Sequence, residues 1–253
     1  MKRRDFIEKS AFAVAAIRLD SPFYFTSAPV KISLAQWSLH RHFFDGDLDA
    51  RDFASIARDT YSIEAVEYVN AFYTEWAKNE KFWVEMKERA DKAGVKSLLI
   101  MVDDEGDLGD PDASRRSQAV KNHYKWIHAA KILGCHSIRV NAFGEGSKSA
   151  LRENLINGLG ELTAYASGMG LNVLAENHGL HTSDARFMTE IIRQVNHPNL
   201  GTLPDFGNWC MSAKWGSTQI PCEKMYDPYQ GVSEMMPFAK GVSAKSYDFN
   251  NQG

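Results

Sequence analysis

Short apolar runs alternate with longer segments of helical periodicity from residue 30 onward. Seven runs have the length and the Val, Ile and Leu content of buried strands, at 31–39, 64–69, 96–102, 137–141, 172–177, 201–206 and 241–249. Between them, the spacing of apolar residues predicts helices at 76–93, 114–133, 149–169 and 184–195. The segments "AGVKS" and "LGCHS" put a glycine between a helix and the next strand, as αβ connections do.

The predicted strands follow one another at roughly the length of one βα unit, which indicates a parallel sheet. The first turn after a strand, "QWSLHRHFFDG", lacks the GxGxxG fingerprint of dinucleotide-binding sheets, so a closed barrel is favoured. We therefore predict an α/β fold of the (β/α)8 TIM-barrel type, formed as a single domain by residues 30–253.

A complete barrel has eight strands, and one further unit needs at least about 30 residues. The sequence ends at "YDFNNQG", just after the seventh predicted strand. We expect the chain to lack the eighth βα unit at its C-terminus. The alternative is an open seven-stranded sheet, which would leave two edges to protect.

Composition narrows the class of partner. The chain is 44% hydrophobic and 24% charged, which is ordinary for a globular protein with a real core. Lys and Arg number 29 against 32 Asp and Glu, for a net charge of −3. This balance gives no general attraction to nucleic acid or to an anionic membrane surface. After the first 30 residues, no apolar segment is long enough to span a bilayer.

Three cysteines, Cys135, Cys210 and Cys222, are far apart and outside CxxC spacing. An odd number at these intervals is not typical of a disulfide framework or a zinc knuckle. We interpret all three as small, mostly buried hydrophobic residues.

The N-terminus, "MKRRDFIEKSAFAVAAI", has two adjacent arginines, Arg3 and Arg4, before a short alanine-rich run. Twin arginines followed by Asp5 and Phe6 are typical of a twin-arginine export signal. We predict that residues 1–29 are a leader and that the mature protein is exported to the periplasm. The alternative is a short amphipathic helix that stays on a cytoplasmic protein.

Polar residues end nearly every predicted strand. In parallel α/β folds, side chains at the carboxyl ends of the strands line the active site. In strand order, these residues are Gln36, Trp37 and His40; Glu67 and Asn70; Asp103 and Asp104; Arg139 and Asn141; Glu176 and His178; Asp205 and Asn208; Lys245 and Asp248.

Two successive apolar runs, "NVLAENHG" and "GTLPDFGN", end on a carboxylate, Glu176 and Asp205. Two carboxylates that face each other repel unless a cation lies between them or one holds a proton. A divalent metal with carboxylate and imidazole ligands resolves this repulsion, and it can polarise a sugar carbonyl or enediolate oxygen. We predict Glu176 as metal ligand and catalytic acid/base, and Asp205 as metal ligand.

Each candidate also has a structural alternative. Glu176 can instead pair with Arg139. His178 alternates onto the same side as Glu176, where it binds ligand or only packs. Glu67 lies between apolar neighbours and is predicted to bind substrate. The charge run Asp103–Glu105 is interpreted as a solvated loop. Three histidines on a predicted helix or just after it are interpreted as structural: His123, His128 and His136.

The chain resembles the xylose isomerase-like TIM-barrel superfamily, in particular its sugar phosphate isomerase/epimerase family. The phrases that carry the resemblance are "ISLAQWSLH", "VEYVNAFY", "AAKILGCHSIRVNAFG", "NVLAENHG", "LPDFGNW" and "AKSYDF". They span residues 31–249, which is nearly all of the chain after the leader.

For the epimerase branch, the resemblance implies one divalent metal, often manganese, held by residues of strands five to eight: Glu, Asp, His and Glu. Glu176 and Asp205 match the first two. Ser243 stands where the histidine is expected, and the last Glu would lie beyond Gly253. The resemblance therefore implies weak or absent metal binding and little metal-dependent activity for these 253 residues. It also implies substrate contacts from Arg139 and Asn141, and for Lys245 either a substrate contact or a place near the metal. Asn208, at the end of the sixth predicted strand, is predicted to bind substrate as well.

We predict a sugar or sugar-phosphate isomerase/epimerase that moves a proton next to a carbonyl group. Its partner is a small-molecule sugar, without nucleic acid or membrane in the mature form, and homo-oligomers are an open possibility. One alternative, favoured by Ser243, is a non-catalytic carbohydrate-binding barrel. Another is a phosphodiesterase of the apurinic-site endonuclease branch, which uses three zinc ions. The acidic balance and the few strand-end histidines argue against that alternative.

Overall fold

In the part of the chain that the structure describes, six parallel strands form one sheet in which the order along the chain is also the order in space. The computed structural model describes residues 30–217 and 221–247. The strands are β1 (Leu34–Ala35), β2 (Ala65–Val69), β3 (Lys96–Val102), β4 (Ser137–Asn141), β5 (Asn172–Glu176) and β6 (Leu200–Leu203). The predicted leader, residues 1–29, and the strand-end residue Asp248 lie outside the described residues.

Seven α-helices connect or follow the strands in the described part of the chain. They are α1 (His40–Phe44), α2 (Phe53–Tyr61), α3 (Glu80–Ala93), α4 (Ala113–Leu133), α5 (Lys148–Gly168), α6 (Ala185–Val195) and α7 (Pro228–Met235). The four predicted helices correspond to α3–α6. Short 3-10 helices are present at Gln36–Leu39, Ala50–Asp52, Asn70–Phe72, Thr74–Trp76, Leu180–Ser183 and Met236–Phe238.

Side-chain caps define the ends of the longer helices. At each N-terminus, the side-chain oxygen of the capping residue accepts a hydrogen bond from a backbone amide of the first helical turn. The capping residues are Asn79 for α3, Asp112 for α4, Ser147 for α5 and Asp184 for α6. α3 and α4 end on left-handed glycines, Gly94 and Gly134, the ones that the sequence placed before β3 and β4.

The seventh predicted strand forms only in part. Among the described residues, Ser243 makes an isolated parallel bridge to Asp205, and Ala239, two residues before the predicted strand, makes one to Thr202. The predicted first strand, 31–39, is reduced to two residues because a 3-10 helix begins at Gln36. That side chain is buried and accepts a hydrogen bond from the Val69 amide at 2.9 Å.

The sheet curls into a barrel wall with two different faces. Outward-facing residues such as Ile138 and Val173 pack against the helices in the main core. Inward-facing residues of β2, β3, β5 and β6 contact one another although β4 lies between them: Val69, Leu99, Met101, Leu174 and Leu203. Contacts across an intervening strand require a curved sheet, and this curvature lets the strand ends converge.

Within the described residues, no helix has the length and apolar character needed to cross a bilayer.

Candidate active site

Arg139 is the central charge of the candidate site. Its side chain points inward from β4, is 4% exposed, and lies between two carboxylates. Nη1 donates to Asp103 Oδ1 at 2.5 Å, and Nε lies 2.7 Å from Glu176 Oε2. The Nε–H bond is not aligned for a hydrogen bond to Glu176, so the contact between the two side chains is an ion pair. Burial alone would lower the pKa of Arg139, but Asp103 and Glu176 raise it above its ordinary value.

Asp103 belongs to the site, against the interpretation of residues 103–105 as a solvated loop. It continues the inward alternation of Leu99 and Met101 in β3. Burial opposes its negative charge, but Arg139 outweighs this effect, and the pKa of Asp103 lies below its usual range. Only Asp104 matches the expectation, since it is exposed. Glu105 does not, because its side chain is mostly buried and binds Lys125 and the Trp126 indole.

Glu176 ends β5, is 4% exposed, and has contacts on both oxygens. Oε1 accepts a hydrogen bond from Asn208 Nδ2 at 3.3 Å, and Oε2 faces Arg139. His178 Nδ1 lies 3.8 Å from the same oxygen. The sequence left pairing with Arg139 open as the alternative to a metal, and the pairing is present.

Asp205, just after β6, is fully buried. Oδ1 accepts from the Gly207 amide at 2.8 Å, and Oδ2 accepts from Ser243 Oγ at 2.6 Å. Lys245 Nζ lies 3.7 Å from Oδ2. Burial raises the pKa of Asp205 to about 6, with Lys245 opposing the rise and Glu176 adding to it.

Asn208 connects the two carboxylate groups. Its amide nitrogen donates to Glu176, while its Oδ1 accepts from Lys245 Nζ at 3.2 Å and from the Tyr247 hydroxyl at 2.7 Å. Burial would lower the pKa of Lys245, but Asp205 and Glu176 raise it, so the ammonium group stays charged.

A chain of hydrogen bonds from Asp103 through Asn141 orients His178. Asn141 Nδ2 donates to Asp103 Oδ1 at 2.6 Å, which leaves the Asn141 amide oxygen to accept from His178 Nδ1 at 2.7 Å. Burial, reinforced by the charges of Arg139 and Lys245, lowers the pKa of His178 to about 3. The imidazole is therefore neutral at physiological pH.

Glu67, on β2, is a further buried carboxylate of the candidate site. Its Oε1 accepts from Ser33 Oγ at 2.7 Å. Burial raises the pKa of Glu67, and the charge of Glu176 raises it further, while Ser33 and Arg139 oppose the rise. By strand alternation Glu67 lies on the same side of β2 as Val69, which faces the barrel interior.

Seven of the eight residues that the sequence assigned to the site are joined by direct contacts, with Asp103 between Asn141 and Arg139: Arg139, Asn141, Glu176, His178, Asp205, Asn208 and Lys245. The eighth, Glu67, faces the same interior from β2 and binds Ser33. Their individual roles stay predictions. Asp103 and Ser243 complete the group, and the alternation of β3 could have assigned the strand-end residue Asp103 to the site rather than to a solvated loop. Gln36 has a structural role instead, since its side chain binds Tyr73 and the Val69 amide.

After β6 the chain forms a hairpin, which covers one side of the site. Cys210 and Met225 form an antiparallel bridge, and a disulfide joins Cys210 to Cys222. The interpretation of three unpaired cysteines is therefore wrong for this pair, whereas Cys135 is free and buried as expected. The antiparallel pairing brings the two Cα atoms to 5.8 Å, a proximity that a 12-residue spacing does not reveal.

A divalent metal does not fit these side chains as they are arranged. Within residues 30–217 and 221–247, no group of three His, Cys, Asp or Glu side chains could hold a metal ion. Both predicted ligands already face internal cations, Glu176 through Arg139 and Asp205 through Lys245. The two charges that would attract a metal are thus compensated by the chain itself.

A curved parallel sheet with helices outside and polar residues at the carboxyl ends of its strands defines a TIM-barrel protein. The family described as "Xylose isomerase-like TIM barrel" matches residues 57–232, and the chain belongs to this family. The predicted TIM-barrel fold class and the xylose isomerase-like superfamily are confirmed, and the lack of an eighth βα unit stays a prediction. No curated protein matches the chain in sequence.

Solved structures with the same fold are similar to this chain at low sequence identity. D-psicose 3-epimerase with D-tagatose from Clostridium cellulolyticum H10 has a TM-score of 0.64 and 13% identity, over 84% of this chain and 72% of that one. The 3-keto-D-glucoside 4-epimerase YcjR from E. coli has a TM-score of 0.58 and 14% identity, over 77% and 73%. A xylose isomerase-like TIM barrel protein from Mycobacterium smegmatis in complex with magnesium has a TM-score of 0.58 and 16% identity, over 81% and 71%.

Proposed function

We propose that this protein binds a sugar beside Arg139, Glu176 and Lys245 and shifts a proton on the carbon next to the sugar's carbonyl group. The observation that carries the proposal is the buried placement of Arg139 against Glu176, with Lys245 beside Asp205. Such a cavity pairs acid/base groups with fixed positive charge, which is what an enediolate intermediate requires. Two similar structures, named D-psicose 3-epimerase and 3-keto-D-glucoside 4-epimerase, support this reaction class.

In the proposed reaction, a Glu176 carboxylate oxygen takes the proton from the carbon next to the carbonyl. The electron pair of the broken C–H bond moves onto the carbonyl oxygen, which becomes an enediolate oxygen. The Arg139 guanidinium and the Lys245 ammonium stabilise this negative charge, because both are charged and desolvated before the reaction begins.

Glu67 is proposed to return a proton. Burial raises its pKa, which favours the protonated carboxyl group, and it reaches the cavity from β2, with two strands between it and β5. Protonation of the enediolate by Glu67 leaves Glu67 ionised and Glu176 protonated. Exchange of both groups with water then restores the starting state. His178, neutral and oriented by Asn141, would position a sugar hydroxyl.

No step of this proposal uses a metal ion. The similar protein from Mycobacterium smegmatis is in complex with magnesium, but here Arg139 and Lys245 face the two carboxylates that would bind one. The proposed reaction therefore relies on internal cations, and we expect it to tolerate a chelator.

Solvent exchange measured by ¹H NMR in D₂O tests the proposal. D-fructose, D-psicose, D-tagatose and D-xylulose are incubated with the protein in the presence of EDTA. We expect deuterium to enter one of them at the carbon next to the carbonyl, and Glu176→Gln to slow this by about 10²–10⁴-fold. Glu161→Gln, an exposed change of the same chemistry on α5, should leave the rate unchanged. No exchange, or exchange that requires added Mn²⁺, would contradict the proposal.

A non-catalytic sugar-binding barrel is the second candidate, favoured by the state of Asp205. This carboxylate is fully buried and both of its oxygens accept hydrogen bonds within the chain, so it is not presented to a ligand. Calorimetric binding of a sugar that undergoes no exchange in the NMR experiment would support this candidate over the enzyme.

A further inference from the structure

Beside the candidate active site lies a second pocket with a volume of ≈ 190 Å³. Its walls come from the loop that follows β3, from the residues that follow β4, and from the hairpin that carries Trp215. Asn141, which orients His178 in the active site, lines this pocket as well. The pocket therefore adjoins the active-site residues at Asn141.

One wall of the pocket is aromatic. Trp215 packs edge-to-face on Phe143 with ring centroids 5.6 Å apart, and on His178 at 4.9 Å. The Lys214 ammonium lies 5.2 Å and 5.0 Å from the Phe143 and Trp215 ring centroids. The hairpin is fastened by the Cys210–Cys222 disulfide, so the Trp215 ring is positioned before any ligand arrives. A fixed aromatic surface suits the apolar C–H face of a sugar ring.

The opposite wall offers hydrogen-bond acceptors that have no partner among the described residues. His123 is 2% exposed, and its Nδ1 donates to the Ala119 carbonyl at 2.7 Å. Burial lowers its pKa, so the ring is neutral and Nε2 can only accept. Asp107 is half-buried, and no described side chain or amide donates to its carboxylate. A ligand in this pocket must therefore bring donors.

The charge of the pocket selects against an anionic ligand. Asp104 and Asp107 face the space together with one lysine, Lys214, whereas Glu105 is already paired with Lys125. The remaining balance is negative, which disfavours a phosphate or carboxylate and favours neutral hydroxyl groups. Hydroxyl donors and an apolar face occur together in an uncharged sugar ring.

We propose that this pocket is a subsite for a second, uncharged sugar ring, so that the ligand is a disaccharide or another glycoside rather than a free monosaccharide or a sugar phosphate. The inference rests on the proposed function, because the first ring must occupy the adjacent active site. Hydroxyls of the second ring donate to Asp107 and to His123 Nε2, and its C–H face packs on Trp215.

Calorimetric titration of the full chain tests the subsite, with D-glucose, glucose 6-phosphate, cellobiose, maltose and lactose as probes. We expect at least one disaccharide to bind at least about tenfold more tightly than D-glucose, from two added hydrogen bonds and one ring contact. Glucose 6-phosphate should bind no more tightly than D-glucose. Asp107→Ala should remove the disaccharide advantage and leave the affinity for D-glucose within about twofold.

Asp59→Ala removes the same charge from the exposed face of α2 and should change neither affinity. Trp215→Ala provides a second test of the same advantage if Asp107→Ala proves unstable. Binding of D-glucose with no disaccharide advantage, or an equal loss of both affinities in Asp107→Ala, would overturn the subsite and leave the proposed function standing. Failure of every probe to bind in wild type, together with no exchange in the NMR experiment, would overturn both.

Discussion

At the scale of single residues, the interior holds an unusual concentration of charge. Asp103, Arg139 and Glu176 are joined by direct contacts, and Asp205 meets Lys245 at the same end of the barrel. Moving such groups out of water is costly, and only mutual compensation makes it tolerable. Arg139 contributes most to this compensation of charge, because it faces two carboxylates.

We predict that Arg139→Gln destabilises the protein by about 3–5 kcal/mol, because two buried carboxylates lose their common cation. Urea denaturation followed by circular dichroism measures the free energy of unfolding. Arg58→Gln is the matched control, because Arg58 pairs with Glu64 on the exposed surface. That substitution should cost no more than about 1 kcal/mol. Equal losses in the free energy of unfolding for the two variants would contradict the role of Arg139 as the common cation of the two buried carboxylates.

The sequence predicted which residues belong to this cluster better than it predicted how they pair with one another. Strand ends and alternation were enough to select Glu176, Asp205 and Arg139. They could not decide between a metal and an internal cation, because that choice depends on side-chain reach across the barrel. Asp103 was named as a strand-end residue but interpreted as solvated, since two acids follow it and a run of acids is more typical of a solvated loop.

At the scale of elements, α5 contains two glycines in its interior with opposite surroundings. Gly158 is buried, and a Cβ built there would lie 2.0 Å from the Leu108 carbonyl oxygen in the loop after β3. At Gly160, the nearest atom to such a Cβ is a Val195 methyl group at 3.9 Å. The helix therefore needs glycine at the first position for close approach and tolerates a side chain at the second.

Gly158→Ala should destabilise the fold by about 1–3 kcal/mol, since the clash is with backbone and one chain segment must move. Gly160→Ala should instead stabilise it by up to about 1 kcal/mol, through the higher helix propensity of alanine. Thermal unfolding of the two variants beside wild type measures both effects. Changes of the same sign would contradict the assigned packing of α5 on the β3 loop.

Element boundaries were predictable where periodicity was long and uninterrupted. β3 and β4 have their predicted bounds, and α4 and α5 are each within one residue at either end. β1 was not predictable in the same way, because Gln36 leaves the strand to bind the backbone of β2. The hairpin after β6 was missed because its pairing joins residues that lack strand periodicity.

At the scale of the whole molecule, the disulfide supports the predicted export. Disulfides persist in oxidising compartments such as the periplasm and are rare in the cytosol. Cys210–Cys222 and the twin arginines, Arg3 and Arg4, are independent features of the chain, and both favour the same location.

We predict that the chain, expressed with its own N-terminus in a bacterium that has twin-arginine export, is recovered from the periplasmic fraction. Alkylation of the denatured protein, followed by mass spectrometry, should label one cysteine before reduction and three after it. A variant with both Arg3→Lys and Arg4→Lys should stay in the cytoplasm and show three free thiols. Wild-type protein confined to the cytoplasm would contradict the prediction.

The agreement between strand order and chain order has a consequence for biosynthesis. Each strand from β2 to β6 hydrogen-bonds to the strand made just before it, so no described strand waits for a distant partner. The sheet can then grow during translation, by the addition of one βα unit after another. Arg139, made before Glu176 and after Asp103, would join the first carboxylate early and be exposed to water until β5 arrives. The last described step would be the docking of Lys245 beside Asp205, which completes the charge balance of the nascent barrel.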